Sequence, residues 1–130
     1  RRFFTNFFLK SRKFFIRIRR KDDIMEKGPS EYSKYWTSPE NEVEHFKHAS
    51  QFGLKGYPYK YSKKAVEFLN DKDLNIREFT DKDGTIYRYR ESTNEFMMVS
   101  RDGKIITYYP PRSDGKYFEN LFLKYGYEWL

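Results

Sequence analysis

From residue 75 onward the hydrophobic period of this chain changes from 3.6 to 2, and no other feature restricts its fold as much. "NIREFT", "TIYRYR", "EFMMVS" and "KIITYY" are short runs rich in β-branched and aromatic residues, the composition of strands. Between them "DKDG", "ESTN" and "RDG" supply the Asp, Asn, Ser and Gly that tight turns need. Consecutive strands joined by tight turns pair antiparallel, which predicts a four-stranded meander stopped by Pro110-Pro111. "KYFENLFLKYGYEW" then predicts a short C-terminal helix. Upstream the period is helical. Ser38 suits an N-cap, Pro39 the first helical position and Glu40 the first turn, so a helix is expected from Pro39 to Phe52 with Gly53 ending it. A second helix over Lys60–Leu69 would turn Ala65, Phe68 and Leu69 toward a core. Helices first and a meander afterwards give an α+β domain, with the N-terminal helices packed on one sheet face.

The 130 residues fit one domain, expected over 38–130 and preceded by a connector and linker over 1–37. Residues 1–21 carry nine Lys or Arg and no acid, whereas the rest has 17 basic and 19 acidic residues, a net of −2. The overall charge of +7 is therefore a property of the head, and a polyanion site on the body has to be argued from local clusters. In the head, Phe4, Phe7, Phe8, Phe15 and Ile18 fall at helical spacing among Lys10, Lys13, Arg17 and Arg20. Such a segment suits transient contact with a membrane surface, or a connector packing on the domain or a neighbour. The absence of an initial Met fits a piece of a longer protein. "KGPSEYSKYWTSPENE" reads as linker. There is no cysteine, so neither disulfides nor thiolate metal sites are available.

Both histidines lie in "EHFKHASQFG", as His45 and His48 with Lys47 between them. A catalytic zinc site wants three protein ligands, and with no third histidine or cysteine a carboxylate such as Glu44 or Glu67 would have to serve. No metal or other cofactor is expected. Glycine-rich phosphate loops and a serine nucleophile elbow are absent as well. The inventory does suit metal-free cleavage of RNA, whose 2′-hydroxyl is its own nucleophile. A histidine takes the proton, and Lys or Arg steadies the charge of the transition state. DNA lacks that hydroxyl and is not an expected substrate. Alternation in "IYRYR" sends Tyr87 and Tyr89 to one side and Arg88 and Arg90 to the other. Arg88 and Arg90, joined by Thr107, would make a phosphate platform; the plainer alternative is a solvated charged face. Two non-enzymatic readings stay open. Exposed Tyr87, Tyr89, Tyr108 and Tyr109 could stack bases in an RNA- or protein-binding module, or the head could serve a membrane-surface accessory protein.

The succession "HFKHASQFG", "AVEFL", "DGTIYRYR" and "TNEFMMVSRDGKIITYYP" resembles the C-terminal toxin domains of bacterial polymorphic and contact-dependent growth-inhibition proteins. Those carrying it are similar to ribonucleases of the barnase, EndoU, colicin D and RelE-like superfamily. The resemblance covers roughly residues 43–119 and rests on order and spacing more than on any single motif. It implies a small helix-plus-sheet fold, a metal-independent endoribonuclease acting on RNA such as tRNA, and a cognate immunity protein as partner. It also implies secretion within a larger protein and action in the cytoplasm of a target cell. Matched by position, it marks His45, Lys47, His48, Arg88 and Thr107, the last beside Tyr108 and Tyr109, as catalytic candidates; Arg90, Tyr87, Tyr109 and Arg112 are expected on the substrate. The chain departs from the pattern at one place. A Lys or Arg usually separates the aromatic pair from the proline, whereas Tyr109 abuts Pro110 here and the next cation is Arg112.

Overall fold

The computed structural model describes residues 28–54 and 58–130, and the expectations for the basic head fall outside them. Helix α1 spans Pro39–His45; Ser38 is extended, and its Oγ accepts the Asn41 N–H at 3.0 Å. The expected helix continues to Phe52, but as a 3-10 helix over Phe46–Phe52. Gly53 ends it in the left-handed region at φ 74°, where a side chain would be strained. Helix α2 follows at Pro58–Asn70. The meander forms as expected, with β1 Arg77–Thr80, β2 Ile86–Arg90, β3 Glu95–Val99 and β4 Ile105–Tyr109. Helix α3 occupies Gly115–Tyr125. A two-residue strand not anticipated from the sequence, β5 at Glu128–Trp129, pairs with β1 and gives the sheet order β4-β3-β2-β1-β5.

Directly paired residues share a sheet face, so the register assigns each side chain. Arg88, Met97 and Tyr108 align on one face, which Phe46 and α2 residues Tyr61, Ala65 and Phe68 cover. Tyr87, Met98 and Thr107 align on the other, as do Tyr89, Phe96 and Tyr109. Helix α3 covers that second face with Phe118, Leu121 and Phe122. Helices thus lie on both faces, where the sequence suggested one. An even spread of aromatic residues along β1–β4 requires this, because either face left bare would expose a large apolar area. The buried tyrosines keep their hydroxyls partnered: Tyr89 donates to Asn94 Oδ1 at 2.7 Å, Tyr87 to Asp81 Oδ2 at 3.1 Å, and Tyr108 to Glu95.

The free edge of β4 is covered by the segment leading into α1. Trp36, 2% exposed, forms a parallel bridge with Ile105, and the Thr37 N–H donates to the Ile105 carbonyl at 3.0 Å. Ser30 donates through its N–H at 2.9 Å and through its hydroxyl to the buried Glu42, which also accepts from Ser62. Residues 30–37, expected as linker, are therefore part of the packed unit. Among the described residues no helix is long and apolar enough to cross a membrane.

Candidate active site

His45 ends α1 beside the edge strand, and Asn41, one turn earlier, holds the two elements together. The Asn41 side-chain amide donates to the Ile106 carbonyl at 2.9 Å and to Thr37 Oγ1 at 2.9 Å. Its own backbone carbonyl accepts from His45 Nδ1 at 2.8 Å. A carbonyl oxygen cannot donate, so Nδ1 carries the ring proton and Nε2 offers a lone pair. Thr107 Oγ1 lies 3.0 Å from that Nε2, so its hydroxyl is the donor. The Trp36 ring packs against His45 with centroids 5.3 Å apart. Burial pushes the His45 pKa below its ordinary value of 6.5. The Asn41 hydrogen bond opposes this, and the nearby charges of His48 and Lys47 add to it. The result is a neutral, oriented base at pH 7.

His48 lies one turn of the 3-10 helix further on, its ring 5.6 Å from that of His45 and 5.2 Å from that of Tyr109. Its Nδ1 donates to Gln51 Oε1 at 2.7 Å. The Tyr109 hydroxyl is joined to that of Tyr117 on α3. Burial, aided by this contact, raises the Tyr109 pKa and keeps the phenol neutral. His48, Gln51, Tyr109 and Tyr117 line a cleft with Pro110–Ser113, so Arg112 stands at its rim. Lys47 and Arg112 are exposed and pair with no carboxylate among the described residues.

The expected platform of Arg88, Arg90 and Thr107 does not form, because the register sends Thr107 to the opposite face. Arg88 pairs with Glu78 and donates to the Phe68 and Asp71 carbonyls at 3.0 and 2.7 Å, closing the C-terminus of α2. Arg90 is held by Asp71 at 2.7 Å, Asp73 at 3.2 Å and Glu95 at 2.8 Å. Their charges are spent within the fold. Tyr87, expected on the substrate, is 5% exposed and stacked on Phe79 beneath α3. The structure thus brings together His45, His48, Thr107, Tyr109 and Arg112, with Lys47 on the same helical turn as the histidines. Sequence reasoning missed Asn41, Gln51 and Tyr117. The first two stand four residues before His45 and three after His48, a spacing that could have disclosed them. Tyr117 joins only through the packing of α3.

Among the described residues no group of three His, Cys, Asp or Glu side chains could hold a metal ion. No family model and no curated protein matches the chain. One solved structure similar to it is described as a ribonuclease from Escherichia coli complexed with its inhibitor protein; the match has 20% identity and a TM-score of 0.47, and covers 63% of this chain and 94% of that one.

Proposed function

We propose that this chain is a metal-independent endoribonuclease whose site is the His45–His48 edge. The observation that carries this reading is the Asn41–His45–Thr107 relay, which aims a neutral imidazole lone pair at a hydroxyl from the edge strand. His45 Nε2 takes the proton of the substrate 2′-hydroxyl as the 2′-oxygen attacks phosphorus. The bond to the 5′-oxygen breaks, and that oxygen takes a proton from His48. Two rings this close resist being charged together, which suits one base and one acid. Thr107, released from His45 by the incoming 2′-hydroxyl, turns its own hydroxyl to a non-bridging oxygen. Arg112 and Lys47, which pair with no carboxylate among the described residues, balance the phosphate charge. Arg88 has no part in this scheme.

Burial of Tyr87, Tyr89 and Tyr108 removes the surface that a base-stacking module would use, and the histidine relay favours chemistry. The sequence resemblance extends the proposal. The domain would be a toxin secreted within a larger protein, acting in a target-cell cytoplasm and blocked by an immunity protein, with residues 1–21 touching membrane in transit. None of its steps needs a metal. Purified protein incubated with total RNA in EDTA is expected to yield fragments ending in a 2′,3′-cyclic phosphate and a 5′-hydroxyl, while DNA stays intact. Cleavage that stops in EDTA and returns with magnesium or zinc would overturn the mechanism.

The lowered His45 pKa also sets a pH profile. Protonated His45 cannot act as base, so activity falls as pH drops through its folded-state pKa. The acidic limb of kcat/KM is expected to have its midpoint below 6.5. A midpoint above 6.5 would assign the limb to another group.

A further inference from the structure

Glu42 is fully buried in α1, and no Lys, Arg or His among the described residues pairs with it. Its carboxyl group instead collects three donors from two other parts of the chain. Oε1 accepts the Ser30 N–H at 2.9 Å, and Oε2 accepts the hydroxyls of Ser30 and Ser62. Ser62 belongs to α2, and Ser30 opens the strap of residues 30–37 that leads along β4 into α1. One carboxyl group thus joins strap, α1 and α2. The far end of the same strap meets the histidine. Thr37 Oγ1 accepts the Asn41 amide at 2.9 Å, and the Trp36 ring lies against His45. Trp36 buries its indole N–H with no acceptor among the described residues. A buried, unpaired donor costs free energy, so the place of this ring depends on the segment that carries it. Between its ends the strap has a solvent-exposed tie, from Lys104 Nζ to the Lys34 carbonyl at 2.7 Å. The buried tie is Glu42.

We propose that Glu42 is a positioning residue for His45: by latching the strap to α1 and α2, it keeps Trp36 against the imidazole and Thr37 on the Asn41 amide. Two properties of His45 follow from the latch. Asn41, whose carbonyl fixes the ring proton on Nδ1, is steadied by Thr37 on the strap side and by the Ile106 carbonyl on the sheet side. Trp36 supplies part of the burial that keeps the ring neutral. Glu42 itself touches no reacting atom and moves no proton. What it provides is hydrogen-bond geometry, which an uncharged group of the same shape can also provide. The place of this latch in a reaction rests on the ribonuclease reading, but the state of the His45 ring is measurable without turnover.

The test follows the His45 ring by NMR through a pH titration of the full chain. Ser30→Pro removes both strap donors and leaves the Glu42–Ser62 bond, so the fold should persist. Its His45 pKa is expected to climb toward 6.5 as Trp36 withdraws, because burial is the largest of the influences that lower it. The charges that face the ring, His48, Lys47 and Glu44, lie on its own helical segment and stay with it, and Thr107 on β4 is uncharged. Turnover of RNA per folded molecule is expected to fall about tenfold, less than the ~10²-fold that a fully misplaced group costs. Glu42→Ala should act in the same direction and also lower the thermal midpoint. Glu42→Gln should restore the parent pKa and turnover, since its amide oxygen accepts the Ser30 N–H and its NH2 donates to the two hydroxyls. An unaltered His45 pKa in Ser30→Pro, whatever its thermal midpoint, would overturn the positioning role. So would a Ser30→Pro chain that fails to fold, which would make the strap a core element, or a Glu42→Gln chain that behaves like Glu42→Ala. The RNA digestion in EDTA separates the two ideas. A shifted His45 pKa with intact RNA in the parent digestion would sink the ribonuclease reading alone, and cleavage with an unshifted ring would sink the latch alone.

Discussion

His45→Ala is expected to lower kcat for RNA cleavage by roughly 10²–10⁴-fold, the usual worth of a positioned general base. His48→Ala is expected to cost a similar amount by removing the acid. The two substitutions should differ in the pH profile: loss of His45 removes the acidic limb, and loss of His48 leaves that limb in place. Because the rings act on one proton transfer each in a single displacement, the double variant should be little worse than either single one. His45 also has packing duties: its loss leaves the Asn41 carbonyl without the ring donor and uncovers one side of Trp36. Thermal unfolding of each variant therefore has to accompany the kinetics. Full activity in the double variant would refute the site outright, and a loss that merely tracks the fraction unfolded would reduce both histidines to structural residues.

The meander was legible because a half-covered strand must alternate and its turns demand particular residues. The Asp81–Thr85 turn shows this: Gly84 sits at φ 86°, and Asp81 Oδ1 accepts the Asp83 and Thr85 N–H groups at 2.9 and 3.0 Å. The start of α1 was legible for the same kind of reason, since cap and proline act locally. What one strand's alternation does not contain is its parity relative to the next. Arg88 and Arg90 do share a face, as "IYRYR" implies. Whether Thr107 joins them depends on how the hairpins register and on the irregularity between Met98 and Val99. A platform inferred from residue types alone had even odds of being split between faces, and here it is. The role of the arginines was hidden for a related reason. Only the docking of α2 reveals that its last carbonyls require a donor and that Arg88 is within reach. Trp36 was lost inside a segment of linker composition, because three aromatic residues, Tyr32, Tyr35 and Trp36, in one short polar run are too few to establish a period.

That reassignment of Arg88 carries a large and opposite expectation. Its side chain is 12% exposed, it faces Glu78 across the β1–β2 ladder, and its guanidinium lies over the Phe68 ring at 5.2 Å. Arg88→Ala would leave the Glu78 carboxylate without its cation and the Asp71 carbonyl without the guanidinium, and the Phe68 carbonyl near the end of α2 would keep only the Asp71 N–H at 3.3 Å. Removing one partner of a buried pair costs several kcal/mol, and about 3 kcal/mol is expected here because Glu78 keeps some access to water. For a domain of this size that lowers Tm by roughly 12–24 °C. Arg88→Lys should fall between the two, since an ammonium keeps the charge but cannot span a carboxylate and two carbonyls as a planar fork does. Turnover per folded molecule, measured well below the lowered Tm, should remain near that of the parent chain. The combination separates the two readings of this arginine. A stable variant with a hundredfold loss of cleavage would return Arg88 to the substrate and place the phosphate on the α2-covered face. An unstable variant with intact turnover would leave the chemistry to the histidine edge, where Arg112 and Lys47 pair with no carboxylate among the described residues.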